Sequence, residues 1–357
     1  MSEVRPRIDD RLLILRADAS AASGTGHMMR VLALAQAWRD LGGRGRWLVV
    51  TAPDDLLAQI EREGISVQRL SNAGDAEDAG CIRDALTSDQ SAAAVVDGEA
   101  FDSEYLDALS GVGRRVLLID DMAERPRYPT AFVLNQNAHA ERVQYPADST
   151  SRFLLGLRYV LLRREFVSSP PVRTIPTVAR HVLVTFGGAD PTRMTSRTVG
   201  ALRRIPAALR GDLSVRVIVG PANPEWSAIA AMAADPDIGM RIEVKRAVTD
   251  MPSHMAWADL AITSGGSTVW ELARTGCPSL VIETTPVERL LATGLARAGL
   301  FARLGPETHI DEGLLADEIT TRAEDVAWRS EMSALGMRLV DGDGARRVVE
   351  VLAGKGE

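Results

Sequence analysis

A histidine at the start of a predicted helix is the first residue in this sequence that could do acid–base chemistry. His27 closes the run SGTGH at residues 23–27, between an apolar strand and a long amphipathic stretch. Gly24 and Gly26, with Thr25 between them, permit a sharp turn and close approach to a ligand, and helix N-terminal amides favour anions. An imidazole with an ordinary pKa near ~6.5 can take a proton at neutral pH, although packing explains a lone histidine equally well. The loop therefore gives a candidate base and candidate substrate contacts.

A second glycine turn, TSGGSTVWE at residues 263–271, also joins a predicted strand to a helix. Exposed amides and hydroxyls at a helix N-terminus can hold a diphosphate, and an acid one turn later can accept hydrogen bonds from a ribose. A capping box without any ligand gives the same pattern. The candidate nucleotide-binding residues here are Ser264, Gly265, Gly266, Ser267, Thr268 and Glu271.

A third turn, FGGADP at residues 186–191, ends the first predicted strand of the second half of the chain. Gly187 and Gly188 favour backbone contact with a nucleotide there, although a tight turn alone would explain them. Acids also end two strands of the first half, in VVDGEAFD and LLIDDMAERP. These acids are Asp97, Glu99, Asp120 and Asp121. They stand at the strand ends where open α/β sheets bind ligands, but a structural role as a cap or turn residue is favoured for any single one of them.

Several other chemistries lack support. Met29 stands where a dinucleotide fingerprint needs glycine or alanine, and the sequence has no P-loop, GxSxG or HExxH motif. The remaining histidines show no metal-ligand spacing, and Cys81 and Cys277 lie far apart. We expect no metal, no cofactor and a reducing, cytoplasmic location.

The composition excludes two classes of binding partner. The 357 residues carry a formal charge of −7, so no broad positive field attracts nucleic acid, and no apolar run reaches the length of a membrane span. We expect a nucleotide-sugar substrate instead of a nucleic acid or membrane partner.

Alternation of short apolar runs with amphipathic stretches predicts two doubly wound α/β domains facing a cleft. The strands are predicted near 12–16, 47–51, 93–97, 115–119, 131–134, 153–155, 181–186, 214–219, 259–263 and 279–283. The clearest helices are predicted near 27–41, 194–204, 224–234, 267–275 and 288–298. Proline-rich sequence near 168–180 marks the boundary. The predicted division is 1–168, a linker at 169–176, a nucleotide-binding domain at 177–330 and a C-terminal helical segment at 331–357.

Six segments, in order over about three quarters of the chain, resemble one enzyme family. They are RADAS with GTGHMMR, IDDMAERP, LNQN, LGLRYVLLRREF, FGGADP and GGSTVWE. Together they resemble the UDP-2,4-diacetamido-2,4,6-trideoxy-altropyranose hydrolases of pseudaminic acid biosynthesis, which are similar to the MurG branch of GT-B glycosyltransferases.

The resemblance implies a GT-B fold whose second domain binds UDP and whose first domain holds the sugar. It implies that His27 activates water for inverting, metal-independent hydrolysis of the anomeric C–O bond, and that Glu271 binds the ribose. Further residues implied on the substrate side are Asp18, Asn135 and Asn137.

This chain departs from the family at two positions near the sugar. Gly98 and Glu99 replace a tyrosine or histidine–tyrosine pair, and Val287 and Glu288 replace an asparagine–glutamine pair. We therefore expect a different nucleotide sugar, one with an amino group facing Glu99. Three functions stay open: a UDP-sugar hydrolase, a GT-B glycosyltransferase in which His27 activates an acceptor, and a nucleotide-sugar binder without activity. The sugar, the choice between UDP and CMP, and the oligomeric state are also open.

Overall fold

Two compact units make up the chain in the computed structural model, which describes residues 8–20, 24–109, 111–112, 115–147, 149–168, 173–285, 288–289, 292–294 and 298–355. Unit 1 comprises Met1–Val167 with Gly342–Glu357, and unit 2 comprises Ser168–Asp341. Each unit contains a parallel sheet with helices between its strands. The predicted pair of doubly wound α/β domains is confirmed.

Unit 1 is built on a seven-stranded sheet in the order β3-β2-β1-β4-β5-β6-β7, and all its strand pairs are parallel. The strands are β1 Leu12–Ala17, β2 Arg44–Val49, β3 Ile65–Arg69, β4 Ala93–Asp97, β5 Val116–Ile119, β6 Phe132–Asn135 and β7 Arg152–Leu155. Strand order reverses between β1 and β4, and ligands of open α/β sheets bind at the carboxyl ends of strands beside such a reversal.

Side chains of the central strands alternate between two apolar layers. Leu13 and Leu15 of β1 pack into one cluster, while Ile14 packs into another. The helices are α1 Gly26–Asp40, α2 Asp54–Arg62, α3 Ala76–Ser88, α4 Ser103–Leu109 and α5 Arg164–Val167, with short 3-10 turns at Ala140–Arg142 and Leu157–Tyr159. A sheet buried on both faces explains why these strands are continuous apolar runs.

Unit 2 contains a six-stranded parallel sheet in the order β10-β9-β8-β11-β12-β13. Its strands are β8 His181–Thr185, β9 Ser214–Val219, β10 Arg241–Arg246, β11 Leu260–Ser264, β12 Ser279–Glu283 and β13 Ala302–Pro306. Its helices are α6 Met194–Leu202, α7 Ala207–Arg210, α8 Trp226–Ala233, α9 Met251–Trp257, α10 Thr268–Arg274, α11 Glu312–Glu324 and α12 Val326–Leu339, with 3-10 turns at Pro236–Ile238 and Glu307–His309. The helix predicted near 288–298 lies partly outside the described residues.

The C-terminal segment divides between the units. Helix α12 belongs to unit 2, whereas a last helix, α13 Gly344–Leu352, belongs to unit 1 and packs on α1. Val348, Val349 and Leu352 are buried in the same apolar cluster as the α1 side chains. The structure thus separates the segment predicted at 331–357 between residues 341 and 342, because its second half completes the core of unit 1.

The predicted linker is described only in its second half, since residues 169–172 lie outside the described residues. Arg173 donates to the backbone carbonyls of Thr275, Ala258 and Met255, with N···O distances of 2.8, 2.5 and 2.5 Å. Arg329 donates to the carbonyl of Thr177 at 2.9 Å. The chain from residue 173 onward is therefore anchored to unit 2.

None of the helices in the described part of the chain is long and apolar enough to cross a bilayer.

Candidate functional site

Polar side chains from four neighbouring elements of unit 1 meet at the carboxyl edge of its sheet. We call His27, Arg30, Asp97, Asp121 and Asn137 the histidine cluster. His27 and Arg30 lie in the first turns of α1, Asp97 ends β4, Asp121 follows β5, and Asn137 follows β6. Since β1, β4, β5 and β6 are adjacent and parallel, their carboxyl ends bring these residues together.

His27 and Asp97 form the centre of the cluster. His27 Nδ1 lies 2.9 Å from Asp97 Oδ1, and the side chains are 24% and 1% exposed. A carboxylate can only accept a hydrogen bond, so Nδ1 carries the proton and donates it to Asp97. That tautomer leaves the Nε2 lone pair free, and Nε2 makes no hydrogen bond with the described residues. An imidazole oriented by a buried carboxylate is arranged as a general base.

Arg30 joins Asp97 to Asp121. Its Nε donates to Asp97 Oδ2, its Nη2 to Asp97 Oδ1 and its Nη1 to Asp121 Oδ2, each at 2.6 Å. Spacing of three residues along α1 places Arg30 on the same helix face as His27. The planar guanidinium thus fixes two carboxylates from different loops at once.

These charges shift the pKa of each partner. Coulombic attraction to Asp97 raises the pKa of His27 above its usual 6.5, against the opposing effect of burial. Burial alone would raise the pKa of Asp97, but the charges of Arg30 and His27 outweigh it and hold that pKa well below its usual range. Burial opposes the charged form of Arg30 as well, yet Asp121 and Asp97 raise its pKa. Asp97 and Arg30 are therefore ionised throughout the neutral range, and His27 titrates above its usual pH.

The two predicted asparagines support Asp121. Asn137 Nδ2 donates to Asp121 Oδ1 at 2.6 Å and to Asn135 Oδ1 at 2.9 Å. Asn135 Nδ2 donates to the Asp121 carbonyl at 3.2 Å and to the Tyr145 hydroxyl at 3.1 Å. Both amides are buried, so they shape the loops around the cluster and do not project into solvent.

Two other residues predicted on the substrate side of unit 1, Asp18 and Glu99, lie outside the histidine cluster. Asp18 Oδ1 accepts from the backbone amides of Val50 and Thr51 at 2.7 and 3.1 Å, and Asp18 Oδ2 pairs with Arg16 at 2.7 Å. Asp18 therefore joins the ends of β1 and β2. Glu99 is exposed just beyond the end of β4.

The loop before His27 is described from Gly24 onward; Ser23 lies outside the described residues. The amide of Gly24 donates to the Ser20 carbonyl at 2.9 Å. Thr25 is the N-cap of α1, although its side chain caps no amide, and Gly26 is the first helical residue.

In unit 2 the turn predicted to bind a nucleotide follows β11. Ser264 ends that strand, Gly265 and Gly266 form the turn, and Thr268 begins α10. The amides of Gly266, Ser267 and Thr268 have no hydrogen-bond acceptor among the described residues. These amides are the free donors expected at a helix N-terminus, which suits an anionic group. Ser267 does not cap the helix through its side chain.

Glu271 and Glu288 flank this turn. Glu271 is half-buried in the first turn of α10. Glu288 Oε2 accepts from the Thr284 amide and hydroxyl, both at 2.7 Å. A Cβ at Gly265 would lie 3.1 Å from Glu288 Cβ, and one at Gly266 would lie 3.5 Å from Glu288 Oε1. A side chain at 265 would therefore press on Glu288 and make it shift by a few tenths of an ångström, and the structure places a carboxylate beside the free amides. Val287 lies outside the described residues.

The turn after β8 has a backbone that only a few residue types adopt readily. Gly187 has φ +75° and is exposed, and Gly188 follows it with open space around both Cα atoms. Asp190 caps α6 by accepting from the amides of Met194 and Thr195 at 2.9 and 2.8 Å. Burial raises the pKa of Asp190. Both glycines thus face open space at the carboxyl edge of the sheet.

Sequence reasoning did not select Arg30 or Tyr145 as site residues, and it gave Asp121 a structural role. The helical spacing of Arg30 from His27 was a usable signal for Arg30. Tyr145 had none, because its contact with Asn135 depends on a loop that no sequence pattern describes.

The chain has the GT-B fold, two parallel-sheet Rossmann-like domains as in MurG and other GT-B glycosyltransferases. The solved structure of MurG from Acinetobacter baumannii is similar with a TM-score of 0.67 and 16% sequence identity, and the match covers 97% of this chain and 99% of MurG. At that identity the likeness establishes the fold alone.

Residues 182–287 match the Glycosyltransferase family 28 C-terminal domain. The spore coat polysaccharide biosynthesis protein SpsG of Bacillus subtilis is 26% identical over 205 residues, which cover 57% of this chain and 59% of SpsG. The UDP-N-acetylglucosamine–N-acetylmuramyl-(pentapeptide) pyrophosphoryl-undecaprenol N-acetylglucosamine transferase of Chelativorans sp. is 37% identical over 132 residues, 35% of this chain and 34% of that protein.

The chain thus spans little more than half the length of SpsG and about a third of the transferase. The resemblance to the hydrolases of pseudaminic acid biosynthesis stays a prediction, since the matched domain and fold are those of glycosyltransferases.

Proposed function

We propose that this protein is a nucleotide-sugar-dependent glycosyltransferase in which His27 is the general base that activates the acceptor. The observation that carries the proposal is the imidazole of His27, held by the buried Asp97 at 2.9 Å with its Nε2 free of the described residues. The match of residues 182–287 to a glycosyltransferase domain supports a donor that is a nucleotide sugar.

In this mechanism unit 1 supplies the proton acceptor. His27 Nε2 removes the proton from an acceptor hydroxyl or amine as that group attacks the anomeric carbon, and the C–O bond to the nucleotide breaks with inversion. Asp97 stabilises the imidazolium that forms, and Arg30 keeps Asp97 ionised. A positioned base of this kind contributes roughly 10²–10⁴-fold to the rate.

Unit 2 binds the nucleotide. The free amides of Gly266, Ser267 and Thr268 stabilise the negative charge that develops on the departing diphosphate. Glu271 accepts hydrogen bonds from the ribose hydroxyls, and Gly187 and Gly188 offer backbone contacts. UDP is the nucleotide we propose, because the similar transferase of Chelativorans sp. is named for a UDP-linked sugar.

The donor sugar we propose carries a charged group on or near its ring. Glu99 is an exposed carboxylate beyond β4, and Glu288 places a second carboxylate beside the glycine turn. Carboxylates pair with ammonium groups and accept from hydroxyls. We therefore propose a donor with an amino sugar, recognised by Glu99 and Glu288. A Glu99→Gln variant with full activity on that donor would exclude the charge pairing at Glu99.

Hydrolysis is the second candidate, with water in place of the acceptor and the same base. Two of the segments through which the chain resembles the hydrolase family are IDDMAERP and LNQN. They supply Asp121 and Asn137 of the histidine cluster and Asn135 beside it. This observation is independent of the domain match in unit 2.

The test is proton NMR of the protein with UDP- and CMP-linked amino and deoxy sugars, first without and then with candidate acceptors. Nucleotide release only when an acceptor is present supports the transferase; release with an inverted free sugar and no acceptor supports the hydrolase. A His27→Asn variant must abolish either reaction. Tight binding of UDP with no turnover under any condition would leave only a binding protein.

A further inference from the structure

We propose that Arg30 is a positioning residue, which holds Asp97 and Asp121 as a fixed pair and thereby keeps the imidazole of His27 in the one tautomer that leaves Nε2 free. This inference rests on the proposed function for its catalytic consequence, but its structural part can be tested without any substrate.

The argument starts from the number of donors that reach Asp97. Oδ1 accepts from His27 Nδ1 at 2.9 Å and from Arg30 Nη2 at 2.6 Å, and Oδ2 accepts from Arg30 Nε at 2.6 Å. Arg30 Nη2 also lies 3.4 Å from His27 Nδ1. Because Nδ1 carries either a proton or a lone pair, it can either donate to the carboxylate at 2.9 Å or accept weakly from the guanidinium at 3.4 Å, but not both.

The ionisation of Asp97 decides between these two tautomers. A protonated carboxyl could donate to Nδ1 and stabilise the opposite tautomer, with its proton on Nε2. Arg30 prevents this outcome, because its charge and its two hydrogen bonds keep the carboxyl ionised. An ionised carboxylate accepts only, so Nδ1 must be the donor. The tautomer of His27 therefore depends on a residue that does not contact the Nε2 atom.

Asp121 supplies the second part of the arrangement. With His27 neutral, the carboxylates of Asp97 and Asp121 outnumber the single guanidinium of Arg30, so the cluster carries one net negative charge. A proton on His27 neutralises that charge. The charged groups that face His27 are Asp97 from β4, Arg30 from α1 and Asp121 from the loop after β5. The loop after β6 adds two donors to Asp121, from Asn137 Nδ2 to the carboxylate at 2.6 Å and from His139 Nε2 to the backbone carbonyl at 3.2 Å.

The choice of arginine also follows from the geometry. Three of its nitrogens reach two carboxylates, one at the end of β4 and one in the loop after β5. A lysine ammonium is a compact charge without that planar fork, so it can keep Asp97 ionised but cannot fix both carboxylates. Arg30→Lys and Arg30→Gln therefore separate charge from geometry.

The experiment is a long-range ¹H–¹⁵N NMR titration of the histidine side chains in the full chain, combined with pH profiles of kcat and KM on whichever UDP- or CMP-linked sugar reacts in the proton NMR test. Only five histidines are present, and a His27→Gln variant assigns the resonance of His27. The variants are Arg30→Gln, Arg30→Lys and Asp121→Asn. The matched control is Arg164→Gln, since Arg164 also joins two carboxylates, Asp40 and Glu63, but touches no member of the histidine cluster.

We expect wild type and the control to show the Nδ1–H tautomer, and Arg30→Gln to show a mixture of both. Loss of orientation in Arg30→Gln should lower kcat about 10²-fold with little change in KM, the size expected of a displacement near ~1 Å. Arg30→Lys should keep the tautomer but lower kcat. Asp121→Asn should keep the tautomer and move the pKa of His27, with the acidic limb of kcat, to lower pH.

The inference is overturned if Arg30→Gln keeps the wild-type tautomer, or if the control changes tautomer as Arg30→Gln does. Should Arg30→Gln not fold, Arg30→Lys and Asp121→Asn carry the test, and an unchanged pKa of His27 in Asp121→Asn overturns the charge argument. If Arg30→Gln shows the expected mixture of tautomers but the protein turns over no nucleotide sugar, the proposed function is refuted and the positioning role of Arg30 stands.

Discussion

Replacement of Asp97 by asparagine gives the most direct test of the His27 site. The amide has the shape of the carboxylate but carries one donor group in place of an acceptor. Since Oδ1 and Oδ2 of Asp97 together accept three hydrogen bonds, the NH₂ group must face a donor whichever way the amide turns. At the Oδ1 position it faces Arg30 Nη2 and forces His27 to accept through Nδ1, while at the Oδ2 position it faces Arg30 Nε.

The size of the effect follows from these two orientations. The first loses the base, because the proton of His27 moves to Nε2. The second keeps the tautomer but places two donors 2.6 Å apart at Arg30 Nε, which the cluster can relieve only by moving. A wrong tautomer in a carboxylate–histidine pair costs up to about 10⁴-fold in kcat, and loss of a general base costs about 10²–10⁴-fold. We therefore expect Asp97→Asn to lower kcat by about 10³-fold.

Stability should fall as well, since Arg30 is buried and would keep only Asp121 as a charged partner. Breaking a buried pair costs about 3–5 kcal/mol, and the remaining partner places this variant near the lower end, about 3 kcal/mol. Asp97 has a lowered pKa, so its contribution to the free energy of unfolding is present above the unfolded pKa near ~3.9 and is lost on acidification. The difference between wild type and Asp97→Asn should therefore shrink at acid pH.

The assay combines nucleotide release over pH 5–9 with urea unfolding at pH 7 and at pH 3, which lies below the unfolded pKa of an aspartate. Asp120→Asn is the control, because Asp120 lies beside Asp121 in sequence but its side chain accepts from Tyr128 at 2.7 Å and from the amides of Met122 and Ala123, outside the histidine cluster. The control should keep the wild-type kcat. If Asp97→Asn keeps it too, the role of Asp97 is refuted and, with it, the assignment of His27 as base.

Three further predictions concern separate parts of the chain. Because the pKa of His27 is raised, the acidic limb of the kcat profile should lie above pH 6.5, and an acidic limb at or below 6.5 would contradict the charge balance of the cluster. The stability that His27 contributes should be fully present below pH 6.5 and should be lost as the pH rises from there through the raised pKa. Gly265→Val should weaken UDP binding in calorimetry by at least ~10-fold, since a Cβ 3.1 Å from Glu288 Cβ must displace that side chain. The control Gly111→Ala has open space around the new Cβ and should bind UDP as wild type does. Leu352→Ala should lower the free energy of unfolding by about 2–5 kcal/mol because Leu352 is 1% exposed in the core of unit 1; a loss below ~1 kcal/mol would contradict the packing of α13 on α1.

Central strands could be predicted from sequence, while most edge strands could not. β1, β4 and β11 are fully or almost fully buried, so each reads as an apolar run. β3, β10 and β13, which pattern analysis did not find, lie at edges of their sheets and bury few residues. Their exposed positions carry Gln68, Arg246 and Arg303, which dilute the apolar signal.

The same distinction applies to the candidate site. Glycine turns after strands β1, β8 and β11 identified the loops correctly as loops, because glycine there has local causes. The pairing of His27 with Asp97 required the order of β1 beside β4, which is a property of the whole sheet. Asp121 joined the cluster through that same strand order, so no short motif could reveal it, whereas the helical spacing of Arg30 from His27 was a usable signal.

The return of α13 to unit 1 has a consequence for the order in which the chain folds during synthesis. Unit 2 is continuous from residue 168 to residue 341, so its core is complete once that stretch has left the ribosome. Unit 1 must wait, because Val348, Val349 and Leu352 of its core are translated only after the whole of unit 2. Throughout the synthesis of unit 2, the apolar face of α1 lacks the helix that covers it. A nascent chain is thus longest exposed to aggregation and to chaperones at α1, the helix that also carries His27.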